Sequence, residues 1–235
     1  MFQFKKFTVQ QDRCAMKIGT DGVLLGAWTP ITNNPISILD IGTGTGIIAL
    51  MLAQRTNAEQ IDALEIDEEA YEQSVDNFEN SPWSDRLFCF HAGLDEFIDE
   101  PEDEYDLIIS NPPFYSEDYK TESAKRDLAR FQDAMPFEDL IEAADLLLSE
   151  NGIFSVIIPF KEEAPFLAIT KEYELYPIQI TRVKGTPTTE IKRSLLAFSR
   201  KENVDFPIDE LIIETARHIY TPEYVELTTD FYLKM

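Results

Sequence analysis

Four consecutive residues, Asn111-Pro112-Pro113-Phe114, join a side-chain amide, two rigid imino acids and an aromatic ring. An amine attached to a ring is a poor nucleophile, because its lone pair is delocalised into that ring. The Asn111 side-chain oxygen and the Pro112 carbonyl can accept its two N–H hydrogens and draw the nitrogen towards tetrahedral geometry. Consecutive prolines stiffen the loop, so both acceptors are oriented in advance. Phe114 offers a face on which a flipped base can stack. No strong general base is needed, since the nitrogen becomes acidic only after it has gained its new substituent. The chemistry these residues suit is group transfer to a planar amine. A Pro-Pro turn after asparagine is also an ordinary structural feature, so the reading depends on finding a donor site.

Such a site lies upstream, in Asp40-Ile41-Gly42-Thr43-Gly44-Thr45-Gly46, which follows an apolar run and opens a helical pattern. Glycines let the backbone turn tightly and approach a ligand closely. The spacing is GxGxG, without the additional residue of pyrophosphate-binding loops. Asp40 would repel a pyrophosphate but suits the ammonium and sulfonium end of S-adenosyl-L-methionine. Glu65 follows Gly46 by 19 residues, where a carboxylate can accept both hydroxyl hydrogens of a ribose. The implied cofactor is therefore S-adenosyl-L-methionine.

These groups need a frame that brings them together. From Ser37 onward β-rich runs alternate with helical patterns, which predicts an α/β, Rossmann-like fold: a mostly parallel seven-stranded sheet with helices on both faces. Strands are predicted over residues 36–41, 60–66, 87–91, 105–110 and 153–158, and helices over 45–55, 68–80 and 137–149. Asn151-Gly152 fits the C-cap of the last helix. A helix over 161–171 then precedes strands at 176–183 and 193–200, joined by a polar stretch at 184–189 that reads as a mobile loop. Thr221-Pro222-Glu223 signals a final helix with Thr as N-cap and Pro at N1. Ligands of open parallel sheets bind at the carboxyl ends of strands, so the loop after Ser110 should face the cofactor. Residues 1–235 read as one domain. In it, 1–35 form an N-terminal extension, 36–160 the cofactor-binding and catalytic half, and 161–235 a part completing the sheet.

A net charge of −24 argues against nucleic acid at first sight. Its distribution qualifies that. Residues 59–104 hold 17 acidic side chains against one basic one, Arg86, whereas Lys and Arg gather in three stretches. These are Lys5, Lys6, Arg13 and Lys17; Lys120, Lys125, Arg126 and Arg130; and Arg182, Lys184, Lys192, Arg193, Arg200 and Lys201. They could form a basic surface on an acidic body, or simply separate solvated faces. Cys14 and Cys89 form no CxxC pair, and two histidines leave little material for a metal site or a histidine-based triad. No apolar run has the length of a membrane span, and the first residues lack a signal peptide's apolar core. The expectation is a cytoplasmic protein with reduced thiols and no metal.

The tetrapeptide and glycine loop resemble the class I amino-methyltransferases with an (N/D)PP(F/Y) motif. Within them, the chain is similar to the bacterial family that makes N6-methyladenine at position 37 of a valine tRNA. The resemblance rests on Asp12-Arg13-Cys14-Ala15-Met16-Lys17-Ile18-Gly19-Thr20-Asp21-Gly22-Val23-Leu24-Leu25-Gly26-Ala27-Trp28. Ser81-Pro82-Trp83, Leu195-Leu196-Ala197-Phe198-Ser199 and Phe231-Tyr232-Leu233 extend it over nearly the whole chain. It implies that Lys17, Gly19, Thr20 and Asp21 belong to a segment closing over the cofactor. Gly42, Gly44 and Gly46 would cradle its methionine part, Glu65 with Ile66 its ribose end, and Asn111 its reacting end. Many relatives bind the cofactor adenine through an Asp where this chain has Gly93; Asp95 or a backbone group would take over. It further implies a tRNA substrate; the charge clusters and the expected fold would then set Lys17, Lys125, Arg126 and Arg130, aided by the region from Lys184 to Arg193, along the path of the phosphates. On the residues alone, a ribosomal-RNA guanine N2 amine, a release-factor glutamine amide and a non-catalytic RNA-binding module stay open.

Overall fold

The structure is a computed structural model that describes residues 1–98, 104–113 and 135–234. Short strands β1 (Phe2–Gln3) and β2 (Thr8–Val9) lead to α1 (Thr20–Trp28). The alternating region follows as β3 (Ser37–Ile41), α2 (Ile47–Arg55), β4 (Gln60–Glu65), α3 (Glu68–Glu79), β5 (Leu87–His91), α4 (Leu94–Ile98) and β6 (Tyr105–Ser110). Then come α5 (Phe137–Leu147), β7 (Leu148–Pro159), a 3-10 turn (Phe160–Glu162), α6 (Glu163–Glu172), β8 (Tyr176–Lys184) and β9 (Ile191–Ser199). The chain closes with β10 (Ile208–Ile212), β11 (Glu214–Ala216), β12 (Ile219–Tyr220) and α7 (Pro222–Thr228).

The main sheet has the order β10-β8-β9-β7-β6-β3-β4-β5. Only β9 runs antiparallel to its neighbours. The central strands are apolar along their length because both faces are covered. Ile38, Leu107, Ile109 and Ile157 pack with α1 and α2 on one face, while Leu39, Ile108, Val156 and Ile158 pack with α5 and α6 on the other. Strand order reverses between β3 and β6, which opens a crevice at their carboxyl ends.

Several expectations change. The seven expected strands are joined by an eighth, β10, parallel to β8 at the sheet edge. Asn151-Gly152 is no helix cap: α5 ends on Leu148, and the pair lies inside β7. There the register jumps from Tyr105↔Leu148 to Leu107↔Ile153, so residues 149–152 form a bulge. The 184–189 stretch is a hydrogen-bonded turn, in which Thr186 N–H donates to Thr189 Oγ1 (3.0 Å) and Glu214 N–H to Gly185 O (2.9 Å). The final helix is capped as expected, with Thr221 Oγ1 accepting from Tyr224 N–H. Residues 1–35 contain a buried helix, α1, against α2. A Cβ on Gly26 would lie 2.9 Å from Met51 Sδ and 3.1 Å from Met51 Cβ, so a larger residue there would force the Met51 side chain to move. Between α1 and the sheet, the apolar α2 is buried from Ile47 to Ala53.

Candidate active site

The glycine loop follows β3 directly. Gly42, Gly44 and Gly46 have φ of 72°, 58° and 77°, in the left-handed region that favours glycine. At Gly46 the constraint is double, since a Cβ there would lie 2.5 Å from the Phe78 ring. A Cβ on Gly42 or Gly44 would meet nothing within 4 Å, so this part of the loop faces open space.

Asp40, at the carboxyl end of β3, is fully buried. Its Oδ2 accepts from Thr43 Oγ1 (2.6 Å) and from Ala49 N–H (3.2 Å), which ties the loop to the start of α2. Its Oδ1 is buried with no hydrogen-bond partner. Burial pushes this carboxyl up to about 7, against the pull of those two hydrogen bonds and with a further push from Glu65. A buried acceptor without a donor is costly, and a cationic ligand would relieve it. Glu65 ends β4. Its Oε2 accepts from Gly44 N–H (2.8 Å) and its Oε1 from Asp67 N–H (3.0 Å), so the carboxylate is locked beside the loop. Burial raises its pKa, and these bonds oppose the rise.

Beyond Glu65, Ile66 is 65% exposed at the crevice. His91 Nε2 contacts Ile66 O at 3.0 Å, and its ring stacks on Tyr71. Gly93 is buried after β5, and a Cβ there would sit 2.6 Å from Asp95 Oδ1. The Asp95 carboxylate therefore folds back into the space that an ordinary side chain at position 93 would fill.

Residues 10–18 form a strap across α3. Gln73 Oε1 accepts from the N–H groups of Asp12 (3.1 Å) and Arg13 (3.2 Å). Asn77 Oδ1 accepts from Gln10 N–H (2.8 Å), while its Nδ2 donates both to Gln10 O and to Thr45 O in the glycine loop (2.9 Å each). Arg13 pairs with Glu72 and Asp76. Burial, reinforced by the fields of Glu65 and Asp67, pushes the Cys14 thiol up to about 12, so the strap runs past the Glu65 end of the site. Lys17, Gly19 and Thr20 are exposed where the strap enters α1. Asp21 pairs with Arg193 of β9 (2.8 Å).

Asn111-Pro112-Pro113 leaves the end of β6, one strand from the glycine loop. Ser110 Oγ donates to Ile41 O (2.8 Å), which pins the two strand ends together. Pro112 is buried, and Asn111 and Pro113 are partly exposed. The end of β6 that carries Asn111 thus lies one strand from the glycine loop and its two carboxylates.

The Methyltransferase small domain family model matches residues 23–174. A full-length relative from Flavobacterium johnsoniae, named tRNA1(Val) (adenine(37)-N6)-methyltransferase, is 77% identical over 100% of both chains. The chain belongs to the tRNA1(Val) (adenine(37)-N6)-methyltransferase family. A relative of that name from Photorhabdus laumondii is 41% identical over 99% of this chain and 95% of its own. The fold matches that of a predicted O-methyltransferase from Agrobacterium tumefaciens with a TM-score of 0.69, at 21% identity over 90% of this chain and 96% of that one.

For a methyltransferase of this family, the structure brings Asp40, Gly42, Gly44, Gly46, Glu65, Ile66, Gly93 and Asn111 to one end of the sheet. Arg193 and Lys184 sit at that same end, engaged with Asp21 and with Glu210 (2.7 Å) respectively. Phe114, Lys125, Arg126 and Arg130 lie outside the described residues. The acidic stretch builds β4, α3, β5 and α4 at one edge of the sheet, and Arg182, Lys184, Lys192 and Arg193 lie towards the other. Sequence reasoning missed Gln73 and Asn77. Their signal was two amides on the buried stripe of α3, where apolar side chains are the rule. No helix among the described residues is long and apolar enough to cross a membrane, and none of their His, Cys, Asp and Glu side chains cluster to hold a metal.

Proposed function

We propose that this chain transfers a methyl group from S-adenosyl-L-methionine to the N6 amine of adenine 37 in a valine tRNA. The observation that carries the reading is the placement of Asn111-Pro112 beside a glycine loop whose buried carboxylate, Asp40, has an oxygen without a donor. The residues present fit the cofactor. Asp40 and the loop of Gly42, Gly44 and Gly46 suit its amino-acid end. Glu65, held by two backbone N–H groups, has lone pairs left for ribose hydroxyls. Ile66 offers an apolar face to its adenine, and Asp95, folded over Gly93, takes the place of the aspartate of relatives. Lys17, Gly19, Thr20 and Asp21 sit at the end of the strap that covers this region.

When bound, the cofactor supplies an electrophilic methyl group. Asn111 Oδ1 and the Pro112 carbonyl accept the two amine hydrogens and localise the nitrogen lone pair, a preorganised arrangement that requires no reorganisation on reaction. Phe114 stacks on the flipped base. The methylated nitrogen is strongly acidic and loses its proton to solvent. Lys125, Arg126 and Arg130, with Lys184 and Arg193, serve the phosphates of the substrate, and a tRNA substrate implies work in the cytoplasm. Full-length relatives favour adenine over the guanine and glutamine acceptors that the tetrapeptide alone allows.

Asn111→Ala tests the reading. With purified tRNA and labelled cofactor, turnover should fall by about 100-fold or more, while cofactor affinity by calorimetry stays within a few-fold. Retained turnover would remove Asn111 from the chemistry.

A further inference from the structure

Next to the acceptor loop lies a cluster that the proposed reaction leaves unused. Phe160 follows β7 immediately and is 36% exposed. The Arg182 guanidinium lies over its ring, with Cζ 5.5 Å from the centroid. Arg182 is fixed from behind by the buried carboxylate of Glu163, which accepts from Nη2 (2.6 Å) and Nε (3.2 Å). Glu163 is held in turn by Ser194 Oγ (2.5 Å), itself fully buried. Among the described residues, Arg182 Nη1 has no hydrogen-bond partner. The arrangement is a planar cation and an aromatic ring stacked together, supported by a buried carboxylate and a buried hydroxyl.

Register gives its place. Ser110 pairs with Val156, so Pro112 continues level with Ile158, which pairs with Ser194, which pairs with Arg182. Strands lie about 4.8 Å apart. The stack therefore stands at the height of the acceptor loop, on the order of 5 to 14 Å to its side. Because Glu163 neutralises Arg182, the pair presents a flat polarizable face with the N–H donors of Nη1 to spare, and little net charge. That chemistry suits a nucleobase better than a phosphate, since unstacked RNA bases rest on aromatic rings and guanidinium planes.

We propose that Phe160 and Arg182 form a stacking platform for a nucleobase flanking the methylated adenine, with Nη1 donating to that base's edge. A flipped adenine leaves its neighbours unstacked, and a platform beside the acceptor loop replaces the lost stacking. The inference rests on the RNA-methylation reading.

The test uses an anticodon stem-loop RNA carrying 2-aminopurine at the nucleotide on either side of the target adenine, with the whole chain and its Phe160→Leu and Phe160→Trp variants. Leucine keeps the bulk and removes the ring; tryptophan keeps the ring. Stacking on an aromatic is worth enough that KM for the RNA should rise about 5- to 100-fold in the leucine variant. Over the same comparison kcat and cofactor affinity hold, the fluorescence quench at one flanking position is lost, and tryptophan restores both KM and quench. If the native chain methylates this RNA and the leucine variant matches it in KM and quench, the platform is refuted while the reaction stands. A native chain that methylates no RNA overturns the reading beneath it, and the platform with it.

Discussion

Replacing Asp40 with asparagine should move stability and cofactor binding in opposite directions. The carboxyl titrates near 7 rather than near its ordinary 3.8, chiefly because it is buried. Its ionised form in the folded chain is therefore disfavoured by about 4 kcal/mol relative to the unfolded chain. The folded pKa is the higher one, so the protein loses stability as pH rises from about 4 to about 7, and the loss is complete above that window. Asparagine carries no charge, and its oxygen can still accept from Thr43 Oγ1 and Ala49 N–H. Its NH2 would occupy the site of the unpartnered Oδ1, at a cost of about 2 kcal/mol. The balance at pH 8 is about 2 kcal/mol in favour of Asp40→Asn, or about 4–8 °C in Tm for a chain of this size. At pH 5 the native carboxyl is protonated and the advantage should vanish or reverse. Cofactor affinity should fall by about 100-fold or more, as expected when a desolvated charge facing a cation is removed. Thermal melts from pH 5 to 8.5 and calorimetry with S-adenosylhomocysteine, which keeps the ammonium, measure the two effects. An Asp40→Asn protein that melts lower than the native one at pH 8, or binds equally well, refutes the account of Asp40 as an uncompensated charge awaiting a cation.

Gly46→Ala should lower stability by about 2 kcal/mol or more, because the new Cβ meets both a positive φ and the Phe78 ring; a denaturant titration checks this. Asn77→Ala removes the amide that joins Gln10 to Thr45. It should raise the cofactor KM several-fold, increase hydrogen exchange at residues 10–13, and lower stability by about 1–3 kcal/mol.

The central strands could be read with small errors because β3, β6 and β7 are buried on both faces, so their apolar runs stand out between turns. The glycine loop was legible for the same reason: its neighbours on both sides are regular. Helix α1 was not, since Thr20–Trp28 is buried almost all round and shows no amphipathic period. β10 was hidden by its charges, for Asp209 and Glu210 sit exposed on an edge strand. Asn151-Gly152 has the local chemistry of a cap, but pairing of Leu148 with Tyr105 draws the chain into the sheet before a cap can form. The strap contacts were the least accessible, because Gln73 and Asn77 meet partners about 60 residues away and local patterns carry no such information. The acceptor tetrapeptide was legible at the level of chemistry, as rigid acceptors for a planar amine. That the loop after Ser110 lies at the carboxyl ends of the strands was legible from the strand order, and what the fold adds is the Ser110–Ile41 bond that ties the end of β6 to β3.

The lateral separation of charge sets a length against which ionic strength can be measured. From β5 to β8 is six strand spacings, about 29 Å. At 0.01 M salt the Debye length is about 30 Å, so a polyanion at the Arg182 edge still feels the acidic edge. At 0.15 M the length is about 8 Å, so the acidic edge is screened out and only the local charges of β8, β9 and β10 act. Added salt should first speed RNA capture by hiding the far carboxylates, then slow it by weakening the near contacts. Stopped-flow association should therefore pass through a maximum between these limits, whereas a uniformly basic RNA-binding surface gives a monotonic decline.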